Sequence, residues 1–265
     1  MPTVENGGVR LHYETSGIAS GQVLALSNSL GSSLHMWDRV LPQLESRYRV
    51  LRYDTRGHGR SSVPPGPYTI DQLGHDLLAL LDHLGIDRAN LCGLSLGGMV
   101  AMWMGIHAPH RLNRLILANT GACILTAEMW DQRIAVVQDS GMTSLAAASL
   151  ERWFTSTYRN AHPAEMETIR SMIAATDPDG YIGCCKVLRD TDLRADIHAI
   201  AAPALVITGT HDPATPVSDG RAIHAALPHS TCIELDSSHL SAWERGEEFA
   251  DCAIAFLGTE VPGNG

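Results

Sequence analysis

The amino-acid sequence predicts an α/β fold with a mostly parallel, doubly wound sheet, an N-terminal hairpin and an inserted helical lid. Three observations support this prediction. Short apolar runs alternate with helical patterns along most of the 265 residues, as in a parallel sheet covered by helices on both faces. The first residues carry a hairpin signal, and residues 122–199 contain helical patterns only.

The first part of the chain contains the hairpin and the first strands of the sheet. Asn6-Gly7-Gly8 follows Val4 and supplies the glycines that a tight turn between antiparallel strands needs. The later strands are apolar throughout, which is typical of strands buried on both faces. The predicted helices have apolar residues at helical spacing, and one of them begins with the capping pattern Thr69-x-x-Gln72. Strands are predicted at 9–13, 23–26, 48–53 and 89–94, and helices at 34–45, 69–84 and 96–107.

The second part of the chain departs from this alternation. Gly141, Pro163 and Pro178 separate four helical patterns that lie between two strands. Ligands bind at the carboxyl ends of strands in such sheets, so we expect this insertion to form a lid there. The prediction is a core of residues 1–121 and 201–265 with a helical cap of residues 122–200. The remaining elements are strands at 112–118, 204–208 and 231–235, and helices at 128–138, 142–154, 164–174, 180–189 and 243–257.

Gly93-Leu94-Ser95-Leu96-Gly97 lies between a predicted strand and a predicted helix. A G-x-S-x-G pattern at such a junction is typical of a nucleophile elbow, a tight turn that exposes the serine hydroxyl above the sheet. The flanking glycines lack Cβ and so allow the helix to approach the strand closely. The sequence therefore predicts Ser95 as a nucleophile.

A serine hydroxyl becomes nucleophilic only beside a base that a carboxylate orients. In elbow folds the acid and then the histidine follow the serine, each after a later strand. Asp212 follows the strand predicted at 204–208, and His239 follows the strand predicted at 231–235. We therefore expect Ser95, Asp212 and His239 to form a catalytic triad.

Other residues fit these roles less well. Among the 13 histidines, His211 precedes the predicted acid and so violates the expected order. Asn119, at the end of the strand 112–118, is neutral and cannot stabilise an imidazolium by charge. Asp236 is a weaker alternative because we expect it to belong to the last strand.

Acyl transfer also requires N–H donors for the oxyanion. One is normally the amide of the residue after the nucleophile, here Leu96. The second should come from the loop after the first parallel strand, in which Leu30 is the candidate. Residues 54–62 contain glycines and arginines but lack the spacing of a phosphate-binding loop, so we interpret them as structural.

Composition restricts the class of protein. The net charge of −10 argues against nucleic acid or an anionic membrane as a partner. No apolar run is long enough to span a bilayer, and the N-terminus lacks the pattern of a secretory signal. The six cysteines are scattered without metal-binding spacing. We expect reduced thiols in a soluble, cytoplasmic protein.

Taken in chain order, these motifs resemble the α/β-hydrolase superfamily over the whole length, so the expected architecture is the α/β-hydrolase fold. Within it, the chain resembles most the 3-oxoadipate enol-lactonases of bacterial aromatic catabolism. Four stretches carry that closer resemblance: 27–31 with 34–38, 92–99, 128–131 with Arg133, and 239–241.

The resemblance implies a serine hydrolase that opens the ring of an anionic lactone, 3-oxoadipate enol-lactone, without a metal or organic cofactor. The substrate carboxylate requires a cation. Arg133, one helical turn beyond Trp130, is the first candidate, and we expect both residues to bind substrate; Arg152, Lys186 and Arg189 are the other cations of the lid. Trp243 stands where the family is expected to have a smaller residue, at the rim of the pocket.

Two other classes of function fit the same fold. A broad carboxylesterase, a carbon–carbon bond hydrolase or a perhydrolase would keep the triad and change the substrate. A ligand-binding receptor can also retain a triad and respond to its ligand by movement of the lid. A complete triad favours catalysis over binding alone.

Overall fold

The computed structural model of the chain describes residues 2–259 and contains a single eight-stranded sheet in the order β1-β2-β4-β3-β5-β6-β7-β8. β1 and β2 form the N-terminal hairpin, β2 pairs antiparallel with β4, and every later pairing is parallel. The predicted α/β fold is confirmed. The strands are β1 (Thr3–Asn6), β2 (Val9–Gly17), β3 (Val23–Ser27), β4 (Arg49–Tyr53), β5 (Ala89–Leu94), β6 (Leu112–Ala118), β7 (Ala204–Gly209) and β8 (Ser230–Leu235).

The helices cover both faces of the sheet, and α4 to α7 lie between β6 and β7 in the sequence. β5 and β7 are buried along their whole length, whereas β8 lies at the edge of the sheet and is only partly buried. The helices are α1 (Leu41–Glu45), α2 (Ile70–His83), α3 (Leu96–His107), α4 (Ala127–Trp153), α5 (Ser156–Ala161), α6 (Pro163–Ala174), α7 (Pro178–Asp190), α8 (Val217–Ala226), α9 (Ser241–Glu244) and α10 (Gly246–Leu257).

Two predicted helices are each divided in the structure. The region 34–45 contains a 3-10 turn at Leu34–Trp37 and then α1. Pro42 explains the break, because its ring excludes the hydrogen bond to the residue four positions earlier that a continuous helix requires. The region 243–257 is divided at Arg245, which adopts φ −122° and ψ 45° between α9 and α10.

Helix α4 joins two predicted helices across a kink. Gly141 has φ 70° and ψ −179°, a conformation that is open essentially to glycine alone. Helices α5 and α8 were not predicted. α8 contains Gly220, a poor helix former, yet a Cβ at Gly220 would lie only 2.1 Å from the Thr208 side chain. The close packing of α8 on β7 therefore requires a glycine at position 220, and this glycine weakens the helical pattern of α8 in the sequence.

All six cysteines lie within the described residues, where none of them is joined in a disulfide. Burial raises the pKa of the Cys185 thiol to about 12, so it stays protonated at neutral pH. No helix within residues 2–259 combines the length and the apolar character needed to cross a membrane.

Candidate active site

Ser95 lies in the turn between β5 and α3 with φ 58° and ψ −115°. A positive φ is uncommon for a residue with a side chain and persists only where the surroundings enforce it. The Ser95 amide donates to the Ala118 carbonyl at 3.0 Å, and the Thr120 hydroxyl donates to the Ser95 carbonyl at 2.8 Å. The turn thus has the geometry that the elbow motif predicts.

The two flanking glycines allow this turn to form. A Cβ at Gly93 would lie 2.0 Å from the carbonyl oxygen of Gly97. A Cβ at Gly97 would lie 2.0 Å from the carbonyl oxygen of Ser27, at the end of β3. Since both obstacles are backbone atoms, helix α3 can start directly above the sheet only where these side chains are missing.

We expect Gly97→Ala to destabilise the protein by about 3 kcal/mol or more, because overpacking against backbone cannot be relieved by a change of rotamer. Gly105→Ala in the same helix is the matched control. Its nearest neighbours are side-chain carbons of Ile200 at 3.0 Å, which can move. Urea unfolding of both variants measures the difference; equal losses of stability would contradict this account of the elbow.

Asp212 is buried in the loop after β7 and accepts hydrogen bonds from several donors. His239 Nδ1 lies 2.7 Å from Oδ2, and the Thr215 hydroxyl donates to the same oxygen at 2.6 Å. The amides of Ala214 and Thr215 donate to Oδ1 at 2.8 and 3.0 Å. Burial alone would raise the pKa of Asp212, but the nearby His239 ring and these donors lower it below its usual value. The carboxyl group is therefore ionised.

His239 is buried in the loop after β8 and lines the same cavity as Ser95. An ionised carboxylate accepts hydrogen bonds only, so Nδ1 of His239 carries the proton that Asp212 accepts. That tautomer leaves Nε2 with a free lone pair, which is the state required of a base. His239 is thus hydrogen-bonded to Asp212 and shares a cavity with Ser95.

The two rival acid positions have other surroundings. Asn119 Nδ2 donates to Asp212 Oδ2 at 3.1 Å and to the Ser238 carbonyl at 3.2 Å. The sequence could exclude Asn119 as the acid but did not indicate this supporting contact. Asp236 was wrongly expected to belong to the last strand. β8 ends at Leu235, and Asp236 is an exposed loop residue that pairs with His211 at 2.9 Å.

The backbone amides of Leu30 and Leu96 remain the predicted oxyanion donors. Leu30 lines the cavity, and Leu96 is the first residue of α3, where amides have no partner within the helix. The Gly31 amide, next to Leu30, donates to His58 Nε2 at 3.0 Å. Burial lowers the pKa of His58, so this ring is neutral and can accept. Through His58, the loop 54–62 therefore fixes the loop that contains Leu30. The sequence did not indicate this role for His58.

Helices α4, α6 and α7 contribute residues to the cavity that Ser95 lines. Trp130 and Arg133 come from the first half of α4, and Arg152 and Trp153 come from its second half. The Arg133 guanidinium lies 4.6 Å from the centre of the Trp130 ring, in cation–π geometry. Trp130 Nε1 donates to the Ile124 carbonyl at 2.6 Å and is thereby fixed.

The two arginines make the cavity cationic. Neither Arg133 nor Arg152 lies within ion-pair distance of any carboxylate among residues 2–259. Arg152 Nη2 instead donates to the Ser149 hydroxyl at 3.0 Å. Burial, and then the nearby charge of Arg133, lower the pKa of Arg152, although Arg152 stays charged at neutral pH. Two arginines without a carboxylate partner in one cavity indicate an anionic ligand.

The other candidate residues of the lid lie elsewhere. Arg189 pairs with Asp131 at 2.9 Å and with Asp190 at 2.7 Å, and Lys186 lines a separate surface groove. Trp243, expected at the pocket rim, does not line the cavity. Its Nε1 donates to Glu165 Oε2 of α6 at 2.7 Å.

Comparisons with known proteins agree with this geometry. A sequence model of the family described as alpha/beta hydrolase fold matches residues 23–246. The 3-oxoadipate enol-lactonase 2 of Acinetobacter baylyi is 43% identical over 249 residues, which are 94% of this chain and 93% of that protein. The 3-oxoadipate enol-lactonase 1 of the same organism is 36% identical over 94% of each chain.

Among solved structures, the enol-lactonase from Burkholderia xenovorans LB400 superposes with a TM-score of 0.96 at 42% identity. That alignment covers 97% of this chain and 100% of the other. The family match extends from β3 to the start of α10 and includes the elbow and the loops that carry Asp212 and His239. The chain belongs to the α/β-hydrolase family.

Proposed function

We propose that the protein hydrolyses 3-oxoadipate enol-lactone to 3-oxoadipate, with Ser95, His239 and Asp212 as its catalytic triad. The proposal depends on one observation: Arg133 and Arg152 have no carboxylate partner among residues 2–259, and both line the cavity that Ser95 and His239 line. A neutral ester offers nothing to these charges, whereas a lactone with a free carboxylate does. The enol-lactonase relatives support the same substrate.

In the proposed mechanism, Ser95 Oγ attacks the lactone carbonyl carbon while His239 Nε2 accepts its proton. The ionised Asp212 stabilises the imidazolium that forms. The oxyanion accepts hydrogen bonds from the backbone amides of Leu30 and Leu96. Because these amides are fixed before the reaction, little reorganisation is needed to stabilise the oxyanion.

The bond between the carbonyl carbon and the ring oxygen then breaks, and the imidazolium of His239 protonates the departing enol oxygen. Because the bond belongs to a ring, the leaving group stays attached to the acyl-enzyme. A water molecule, deprotonated by His239, attacks the ester of Ser95 and releases a single product. The enol of that product relaxes to the ketone of 3-oxoadipate.

Arg133 and Arg152 are the proposed partners of the substrate carboxylate. A charge-assisted contact is strongest where water is excluded, and both arginine residues are partly buried. Helices α4 to α7, within the cap of residues 122–200, would close over the lactone and keep bulk water from the acyl-enzyme. The free cysteines fit a reducing compartment such as the cytoplasm.

This function is tested by ranking substrates by kcat/KM in the wild type and in Arg133→Ala. We expect the enol-lactone to rank first, above neutral lactones and activated esters. Loss of the Arg133 charge should raise KM for the enol-lactone roughly tenfold to a hundredfold, the size of a lost charged hydrogen bond, and leave a neutral ester almost unaffected.

Arg189→Ala is the matched control, because it removes a cation of the same lid that is already paired with surface carboxylates. It should leave both substrates unchanged. A neutral ester that outranks the enol-lactone would overturn the proposed substrate. An equal effect of Arg133→Ala on both substrates would remove Arg133 from the carboxylate site.

A further inference from the structure

We propose that Glu244 is a positioning residue that joins the His239 loop to the lid segment carrying Arg152, so that the base and a substrate-binding cation move as one unit. The proposal rests on the proposed function for the role of Arg152. It goes beyond that function because it assigns a role to a residue outside the cavity and makes two catalytic tasks depend on it.

Glu244 is the last residue of α9 and lies five residues after His239. Its Oε2 accepts from the amide of Ser238, the neighbour of His239, at 3.0 Å. Both of its oxygens lie 3.3 Å from the amide of Thr155, and Oε1 also accepts from the Thr155 hydroxyl. Thr155 lies two residues after the end of α4. One carboxylate therefore binds the catalytic loop and the lid at the same time.

Further hydrogen bonds connect the same two segments. The Ser238 hydroxyl donates to the Arg152 carbonyl at 2.7 Å, and the Leu240 amide donates to the Trp153 carbonyl at 3.0 Å. The residues on either side of His239 thus hold the backbone of Arg152 and Trp153, whose side chains line the cavity. A shift of either segment must shift the other.

The chemistry of the contacts explains why a carboxylate is needed at this position. Every group that Glu244 meets here is a donor: two backbone amides and one hydroxyl. A carboxylate only accepts, and its two oxygens can serve all three donors. Glutamine has one oxygen and an NH2 group, and both carboxylate positions face a backbone amide, so the NH2 group must point at the amide of Thr155 or of Ser238. Two donors then face each other, and one of the two links is weakened.

Coupling of this kind predicts two simultaneous kinetic effects. Displacement of His239 lowers kcat for every substrate, whereas displacement of Arg152 raises KM only for substrates with a carboxylate. A residue with a purely structural role would lower thermal stability or the fraction of active protein. It would not change the ratio of KM values between an anionic substrate and its neutral analogue.

The test uses Glu244→Gln in the full-length protein, with an activated ester that bears a free carboxylate and its neutral methyl ester. Rates are normalised to active sites titrated with an organophosphate that reacts with Ser95. We expect kcat to fall roughly tenfold to a hundredfold for both esters. KM should rise severalfold for the anionic ester only. In a protein that already carries Arg152→Ala, Glu244→Gln should no longer change the KM for the anionic ester.

Trp243→Phe is the matched control within α9. It removes the hydrogen bond to Glu165 and leaves the contacts of Ser238 and Thr155 intact, so kcat and the KM ratio should not change. If Glu244→Gln does not fold, Ser238→Ala replaces it, because this variant removes the hydroxyl link to the Arg152 carbonyl, together with a longer contact to the His211 carbonyl, and keeps the backbone amide that binds Glu244. It should shift kcat and the KM ratio in the same directions.

The proposal is overturned if Glu244→Gln alters only the melting temperature, or if kcat falls while the KM ratio stays constant. The second result would mean that Glu244 positions the base alone. This outcome is distinct from failure of the proposed function, because the ester pair reports on the carboxylate whether or not the enol-lactone is the preferred substrate.

Discussion

Ser95→Ala is expected to lower kcat for the enol-lactone and for activated esters by about six orders of magnitude, the scale seen when a triad serine is lost. The hydroxyl oxygen forms the acyl-enzyme bond, and no other nucleophile is assigned to the cavity. Alanine fits the turn without a new clash, so the elbow should persist. The measurement is turnover at high enzyme concentration, with an organophosphate titration to confirm the loss of the reactive hydroxyl.

Binding and stability serve as controls for this variant. The two arginines are untouched by Ser95→Ala, so calorimetry should show that the variant binds the dicarboxylate product as the wild type does. Thermal unfolding should stay within a few degrees of that of the wild type. Residual turnover above about one per cent would contradict a covalent role for Ser95 and favour direct attack by water.

Asp212→Asn is expected to lower kcat by about four orders of magnitude while KM changes little. The asparagine amide would donate toward His239 Nδ1, where the wild-type carboxylate accepts. The ring would then hold its proton on Nε2 and could not remove the proton of Ser95. Steady-state kinetics measures the effect, and circular dichroism checks that the fold is retained.

Asp236→Asn provides a matched control, because Asp236 is an acid after the neighbouring strand that pairs with His211 at the surface. Its removal should leave kcat unchanged within a factor of two. If Asp212→Asn lost less than tenfold, or if Asp236→Asn lost more than Asp212→Asn, the acid of the triad would have to be assigned elsewhere.

Local sequence patterns were sufficient to predict the central strands because these strands are buried on both faces. The predicted strands 89–94 and 112–118 have the same bounds in the structure. Chain order alone was enough to choose the loop after β7 for the acid and the loop after β8 for the base. The structure brings Asp212 and His239 of these two loops together. Their catalytic roles stay predictions until the variants are measured.

Contacts between distant segments were not visible in the sequence. Asn119, His58 and Glu244 act through partners that lie far away along the chain or in a loop whose course the pattern does not specify. Helix α5 has only six residues, too few for a periodic signal. Each of these features depends on the assembled fold.

Arg152 shows why the sequence could not select both lid cations. On one straight helix, positions 133 and 152 would point in directions about 100° apart. The positive φ of Gly141 bends α4 between them, and both guanidinium groups reach the same cavity. The sequence marks a break at Gly141 but not the angle between the two helical segments, so it could place only Arg133, one turn away, beside Trp130.

The edge position of β8 has a consequence for how the protein responds to heat. Strands at a sheet edge, partly exposed, open at a lower free-energy cost than strands at the centre. His239 follows β8, whereas Ser95 follows β5 in the buried middle of the sheet. Fraying of the edge would remove the base while the elbow stayed intact. The temperature at which activity is lost should therefore depend on the local stability of β8. The C-terminal part of the fold, and not the elbow, limits activity on warming.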